Sequence, residues 1–313
     1  MYRTWSFVST PDRGRAGRDH SGRILKEVAV LDEAIGIHGS KRRFALADCG
    51  PDPVNRRTEA AYDRWASTYD RDPNPQTSLE SEDILHLLRI ASESRVLDAA
   101  CGTGRYFGPM IRTGGRVTGF DLADGMLARA RAAYPEVSIV RADLAGSLPY
   151  RDASFSHALC AQALKHLPSL GETFTELARI LQPAGRLVFS VTHPEMDFTD
   201  YELNFVPSFV LSREADIHHH TEQTYREALA ATGFVVEKWR AVLVSTKIEH
   251  LLTPESFQKV RGRPQVLVVS AIRRPWVPQS PDTLRWTLRA EEIGVSRRLL
   301  EWPIHTPSKF RIS

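Results

Sequence analysis

Cysteine is scarce in this chain of 313 residues. There are three, Cys49, Cys101 and Cys160, widely spaced and odd in number, a pattern that points to neither a disulfide framework nor a zinc site. No apolar run approaches the ~20 residues that span a bilayer, and the N-terminus shows no signal-peptide apolar core, so the expectation is a cytoplasmic protein with no membrane span. Charge of one sign is lacking too: 41 Lys and Arg against 38 Asp and Glu leave a formal net charge of +3. That balance hides an asymmetry. Residues 1–57 carry 11 basic against 7 acidic residues and 273–313 carry 8 against 4, while the centre, 58–272, carries 22 against 27. An acidic centre lacks the basic stripe of a nucleic-acid enzyme, and basic flanks of this kind are more often solvated extensions than binding arms. Nucleic acid is therefore not the expected partner, and nothing in the sequence bears on oligomeric state.

What the chain does have is alternation. Apolar runs at 95–99, 116–120, 137–141, 156–161 and 185–191 read as strands, with helical patterns at 79–91, 104–112, 124–134 and 170–182. This is the signature of a doubly wound α/β sheet. A helix at 222–232 then precedes two strands, 234–244 and 265–272, with no helix expected between them, which reads as a closing antiparallel pair and brings the count to seven strands. Residues 1–57 read as a weakly ordered extension and 273–313, with five prolines, as a tail outside the fold.

The most informative stretch is residues 95–105, Arg-Val-Leu-Asp-Ala-Ala-Cys-Gly-Thr-Gly-Arg. A short apolar strand meets an acid, Asp98, then small residues and Gly-x-Gly, where the absence of Cβ lets the backbone turn tightly and approach a ligand. A dinucleotide-binding loop would need a third glycine three residues after the second. Phe107 stands there and Gly108 comes one place late. Asp121, ending the next strand, suits ribose hydroxyls in either case.

The pattern resembles the first motif of class I S-adenosylmethionine (SAM) dependent methyltransferases, in their small-molecule branch of ubiquinone/menaquinone-type and natural-product enzymes. The resemblance spans 58–272 and implies a Rossmann-like fold, SAM as cofactor and methyl transfer to a small molecule. Residue by residue, it implies that Asp98, Ala99, Ala100, Cys101, Gly102, Thr103, Gly104 and Arg105 form the loop under the methionine part of SAM, with a helix starting at Gly104. Asp121 and Leu122 would meet the ribose and Met126 would pack on adenine, with Asp124 capping its helix. Asp143 and Leu144 would form the adenine clamp, with Asp143 accepting from the exocyclic amine. The helical stretch 58–69 resembles the family's lid helix, placing Tyr69 over SAM and Trp65 against the acceptor, although both would also serve as core.

Strand four ends Cys160-Ala161-Gln162-Ala163-Leu164-Lys165-His166-Leu167. Gln162 is expected to reach the SAM amino group. His166 is a candidate for the acceptor wall whose plainer reading is structural. The Asn-Pro-Pro-Tyr and Pro-Cys signatures of nucleic-acid base methylases are missing, which argues against base substrates. The stretch 192–220 is too long for a simple connection. It offers Phe198, Tyr201, Phe205 and Phe209 as flat apolar surface, with His218 as a further wall residue, and is expected to be an acceptor lid. His193, directly after strand five, is the candidate general base. The run His218-His219-His220 does not converge easily on one ion, so no metal is expected. Two rival readings use the same residues: an RNA methyltransferase recruited through the basic flanks, and a SAM-binding protein that does not methylate.

Overall fold

The computed structural model describes residues 55–196 and 215–274. Seven strands form one sheet: β1 (Arg95–Ala99), β2 (Arg116–Asp121), β3 (Ser138–Arg141), β4 (Phe155–Ala161), β5 (Leu181–Thr192), β6 (Phe234–Leu243) and β7 (Pro264–Arg273). Their order is β3-β2-β1-β4-β5-β7-β6. The first five are parallel, whereas β7 runs antiparallel to both β5 and β6 and lies between them. Helices α1 (Arg56–Trp65), α2 (Pro75–Leu88), α3 (Phe107–Arg112), α4 (Asp124–Ala133), α5 (Gly171–Ile180), α6 (Glu222–Ala231) and α7 (Pro254–Val260) complete the described chain.

The sheet is covered on both faces, which is why its central strands read as continuous apolar runs. Successive side chains alternate between two cores. On β1, Val96 joins one core and Leu97 and Ala99 the other; on β7, Val266 and Val268 oppose Leu267, Val269 and Ala271. One core is closed by Phe174 and Leu177 of α5 with Tyr225 and Leu229 of α6. The other is closed by Ile84 and Leu88 of α2, Phe107 and Met110 of α3 and Leu127 of α4.

Several expected boundaries move for local reasons. Helix α2 starts at Pro75 rather than 79, because the Asn74 side chain accepts the N–H groups of Gln76 and Thr77 and proline suits the first helical position. Helix α3 starts at Phe107 rather than Gly104, since Gly102 and Gly104 have φ of +55° and +80° and cannot belong to a right-handed helix. Asp124 is the first residue of α4 and not its cap; the cap position is Ala123, and Asp124 instead faces Arg141 at 3.5 Å. The link between β6 and β7 is not bare: it holds a 3₁₀ turn, Thr246–Leu251, and α7, which a Thr253 cap and Pro254 initiate. At the start of the fold, Asn55, Arg56 and Arg57 belong to the folded unit rather than to the extension, with α1 beginning at Arg56. The remaining extension and tail, 1–54 and 275–313, lie outside the described residues.

Candidate functional site

Strand order reverses at β1 and β4: the chain moves outward through β2 and β3, then returns to the far side of β1. The carboxyl ends of strands at such a reversal leave a crevice for ligands. A cleft of about 840 Å³, open to solvent, occupies that position. Its floor is the β1 loop, with Asp98, Ala100, Cys101, Gly102 and Arg105 lining it. Gly102 shows why glycine is used: a Cβ there would have no atom within 4 Å, so it would project into the cleft at a φ of +55°. Gly104 serves differently, by letting the Phe107 ring come so near that a Cβ would lie 2.6 Å from it. Two non-glycine residues of the cleft, Ala100 and Gln162, also have left-handed φ of 58° and 59°, a strain that clusters at functional sites.

Behind the floor lies a buried polar cluster centred on Glu80 of α2. Its carboxylate accepts from Arg105 Nη2 at 2.6 Å, Gln162 Nε2 at 2.6 Å and the Tyr106 hydroxyl at 3.2 Å, and the residue is fully buried. Glu80 thereby fixes three cleft-lining side chains. Three atoms on lining residues stay buried without a partner: Asp98 Oδ2, Gln162 Oε1 and Arg105 Nη1. Buried polar atoms are seldom left so. Two acceptors and one cationic donor are the complement of an α-amino acid, whose ammonium donates and whose carboxylate accepts. Burial pushes the Asp98 carboxyl up to about 7, opposed by Arg105 and reinforced by Asp121.

The next strand ends carry two more acids. Asp121 accepts from Gly102 N–H at 2.8 Å and Ala123 N–H at 3.0 Å, so the carboxylate also pins the glycine loop. Burial raises its pKa while these amides oppose the rise. Asp143 accepts at 2.9 Å from the Asn55 amide through both oxygens and from Ala145 N–H. Phe120, Leu122, Met126 and Leu144 supply apolar wall between the two acids.

Helix α1 closes the cleft from above. Its Tyr62 hydroxyl lies 3.0 Å from His166 Nε2, and His166 Nδ1 lies 2.7 Å from the Asp216 carbonyl oxygen. A carbonyl only accepts, so Nδ1 carries the proton and Nε2 receives the tyrosine O–H. Burial, with help from Lys165, pushes His166 down to about 3, and burial likewise raises the Tyr62 phenol. Lys165 has its own ammonium pushed down to about 8 by burial, with Glu80 opposing. Trp65 packs against Ala66, Ala123 and Met126 and meets Tyr69 edge-on at 4.6 Å.

Of the residues singled out in the sequence, Tyr69, Asp98, Ala100, Cys101, Gly102, Arg105, Asp121, Leu122, Met126, Asp143, Leu144, Gln162 and His166 line this cleft. Others stand back from it. Ala99 is core within β1, and Thr103 donates to Asp70 at 2.6 Å. Trp65 is behind Met126 rather than in the acceptor wall. His193, expected to face the transferred methyl, is not in the lining. It is buried, accepts from Glu195 N–H at 3.2 Å through Nδ1, and lies 3.5 Å from Glu222 of α6 through Nε2. The reason is that its backbone still pairs with Gln265 of β7, which continues the sheet past the cleft mouth. His218 donates its backbone N–H to Lys165 and is likewise outside the lining, with Nε2 buried and unpartnered among the described residues. Phe198, Tyr201, Phe205 and Phe209 fall outside the described residues. The sequence reading missed Asn55, Thr58, Glu59, Tyr62, Tyr106 and Phe120 in the lining, and Glu80 behind it. Tyr62 could have been found from its place on the same helix as Trp65; a buried Glu80 carries no local signal.

Among the described residues no group of three or more His, Cys, Asp or Glu could hold a metal ion, and no helix is long and apolar enough to cross a membrane.

Residues 97–189 match a family model described as a methyltransferase domain. Over 145 residues the chain is 36% identical to a malonyl-[acyl-carrier protein] O-methyltransferase of Erwinia pyrifoliae, covering 46% of this chain and 54% of that one. It is 31% identical over 139 residues to a demethylmenaquinone methyltransferase of Tropheryma whipplei, covering 42% and 58%. The chain thus spans little more than half the length of these relatives. Among solved structures it resembles a SAM-dependent methyltransferase of Mesorhizobium loti, with a TM-score of 0.53 at 28% identity over 62% of this chain and 98% of that one. The [4+2]-cyclase SpnF shares the fold at a TM-score of 0.56 and 16% identity, over 72% of this chain and 98% of that one. The family match over β1 to β5, the glycine-floored cleft where the strand order reverses, and the antiparallel β7 give the described residues the fold of the class I S-adenosylmethionine-dependent methyltransferases.

Proposed function

We propose that this protein transfers the methyl group of SAM to an O, N or C nucleophile of a small, partly apolar molecule. The observation that carries the reading is the set of three unpartnered buried atoms, Asp98 Oδ2, Gln162 Oε1 and Arg105 Nη1, each on a residue that lines the cleft. In this reading Asp98 and Gln162 accept from the amino group of SAM and Arg105 donates to its carboxylate. Asp121 accepts from the ribose hydroxyls while holding Gly102 in place. Asp143 accepts from the adenine amine between the apolar faces of Met126 and Leu144.

SAM supplies an activated methyl, so the residues of the chain bind, align and exclude water rather than activate the donor. Glu80 fixes the headgroup-binding side chains before the ligand arrives, which keeps reorganisation small. Tyr62 of helix α1 and Tyr69 in the turn after it cover the cleft. The reading assigns no proton transfer to His193, which faces Glu222 instead. The named relatives act on malonyl-[acyl-carrier protein] and demethylmenaquinone, and a small uncharged acceptor like the latter, rather than a carboxylate like the malonyl group, is the class expected here.

The test is S-adenosylhomocysteine formation from SAM in the presence of a deproteinised metabolite extract, with Asp98→Asn as control. Extract-dependent product that the variant loses is the expected result. SAM binding without any extract-dependent product would favour the non-methylating reading.

A further inference from the structure

We infer that the acceptor is an uncharged molecule presenting an O–H or N–H group to Tyr62, and that molecules with a free carboxylate are excluded. This rests on the methyltransferase reading above and narrows it. Two separate observations carry it, one of charge and one of hydrogen-bond polarity.

Four carboxylates line the cleft, Glu59, Asp98, Asp121 and Asp143, against a single cation, Arg105. Arg105 is already paired with Glu80, and Glu59 with Arg141. Asp98, Asp121 and Asp143 make no salt bridge among the described residues; backbone N–H groups and the neutral Asn55 amide satisfy the last two. SAM brings two cationic groups and one carboxylate, hence one net positive charge. Lys165, buried close to Glu80 and Arg105, adds at most one more. The surroundings therefore stay net negative with the cofactor seated. An anionic acceptor would meet like charge where water is partly displaced and screening is weak.

The second observation concerns the wall. The Asp216 carbonyl fixes the proton on His166 Nδ1, so Nε2 takes the Tyr62 hydroxyl proton. Tyr62 is then left with lone pairs alone to offer a ligand. A donor O–H or N–H satisfies them, whereas an ether or carboxylate sets lone pair against lone pair. Neither Tyr62 nor His166 forms its charged state readily, since burial disfavours the phenolate and the imidazolium alike. The wall is a neutral acceptor and cannot turn into a carboxylate receptor near neutral pH.

The experiment uses the full chain saturated with sinefungin, a cationic SAM analogue that cannot donate a methyl. Three probes of equal ring size are titrated at pH 7.5: 2-naphthol, 2-naphthoate and 2-methoxynaphthalene. The expected result is binding of 2-naphthol about tenfold or more tighter than 2-naphthoate. A several-fold preference for 2-naphthol over its methyl ether, lost in Tyr62→Phe, is also expected. Equal or tighter binding of the naphthoate overturns the inference. So does failure of all three probes on sinefungin-loaded protein. Failure of sinefungin itself to bind would reject the methyltransferase reading and this inference with it, which separates the two.

Discussion

Replacing Glu80 with alanine removes one carboxylate and leaves three groups without their acceptor: the Arg105 guanidinium, the Gln162 amide and the Tyr106 hydroxyl. Glu80 is completely buried and the Arg105 side chain is only 21% exposed, so water does not readily replace the lost partner. Breaking a buried ion pair by deleting one member costs about 3–5 kcal/mol. For a domain of this size that corresponds to a fall in Tm of roughly 6–20 °C. Glu80→Gln keeps the shape and one carbonyl acceptor, so it should lose less stability while still releasing Arg105 from its charge partner. Both variants should bind SAM more weakly, because Arg105 and Gln162 are no longer held toward the cleft. Urea unfolding read by tryptophan fluorescence gives the stability, and calorimetric titration with SAM gives the affinity. A loss below about 1 kcal/mol for Glu80→Ala would mean that Arg105 is effectively solvated, since exposed pairs contribute only that much. The reasoning about a preorganised floor would then be refuted.

Three other outcomes are expected. Asp98 has its carboxyl raised to about 7 in the ligand-free cleft, and binding a cationic amino group favours the ionised form. SAM affinity should therefore rise with pH through about 7, a dependence that Asp98→Asn removes; an affinity flat between pH 5.5 and 8.5 would exclude Asp98 from the contact. The same shift acts on folding with the opposite slope. The folded state holds the proton more tightly than the unfolded chain, so Asp98's contribution to ligand-free stability is fully present below pH 4 and is lost as pH rises toward 7. Denaturant titrations comparing wild type with Asp98→Asn over that range measure it. Gly102→Ala places a methyl in the cleft at a left-handed φ of +55°; it should cost about 1–2 kcal/mol of stability and more than tenfold in SAM affinity, while Ala100→Gly, at φ 58°, should leave the protein as stable or more so.

The order of elements was largely legible because the parallel strands are buried on both faces and so read as unbroken apolar runs. Asp98, Gly102 and Asp121 were legible because each ends a strand or makes a turn that only certain residues allow. Helix starts were less so. Nothing in the run from Gly104 to Arg112 says that two left-handed glycines delay the helix to Phe107, although the bulk of Phe107 explains why Gly104 and Gly119 must both lack a Cβ: one would lie 2.6 Å or 2.5 Å from its ring. Glu80 escaped notice because its partners are 25, 26 and 82 residues away. His193 illustrates the converse. A histidine directly after a central strand points to the cleft only if the strand ends there, and β5 keeps pairing with β7 instead.

The central claim is that the cleft where β1 and β4 diverge holds SAM through Asp121 and the β1 loop. The most direct measurement is calorimetric titration of the full chain with SAM, repeated with Asp121→Ala. The account expects one SAM per chain, with affinity falling at least about tenfold in the variant, since the ribose acceptor and the anchor of Gly102 are lost together. Unchanged affinity in a folded Asp121→Ala protein, or no binding by the wild type, would contradict it.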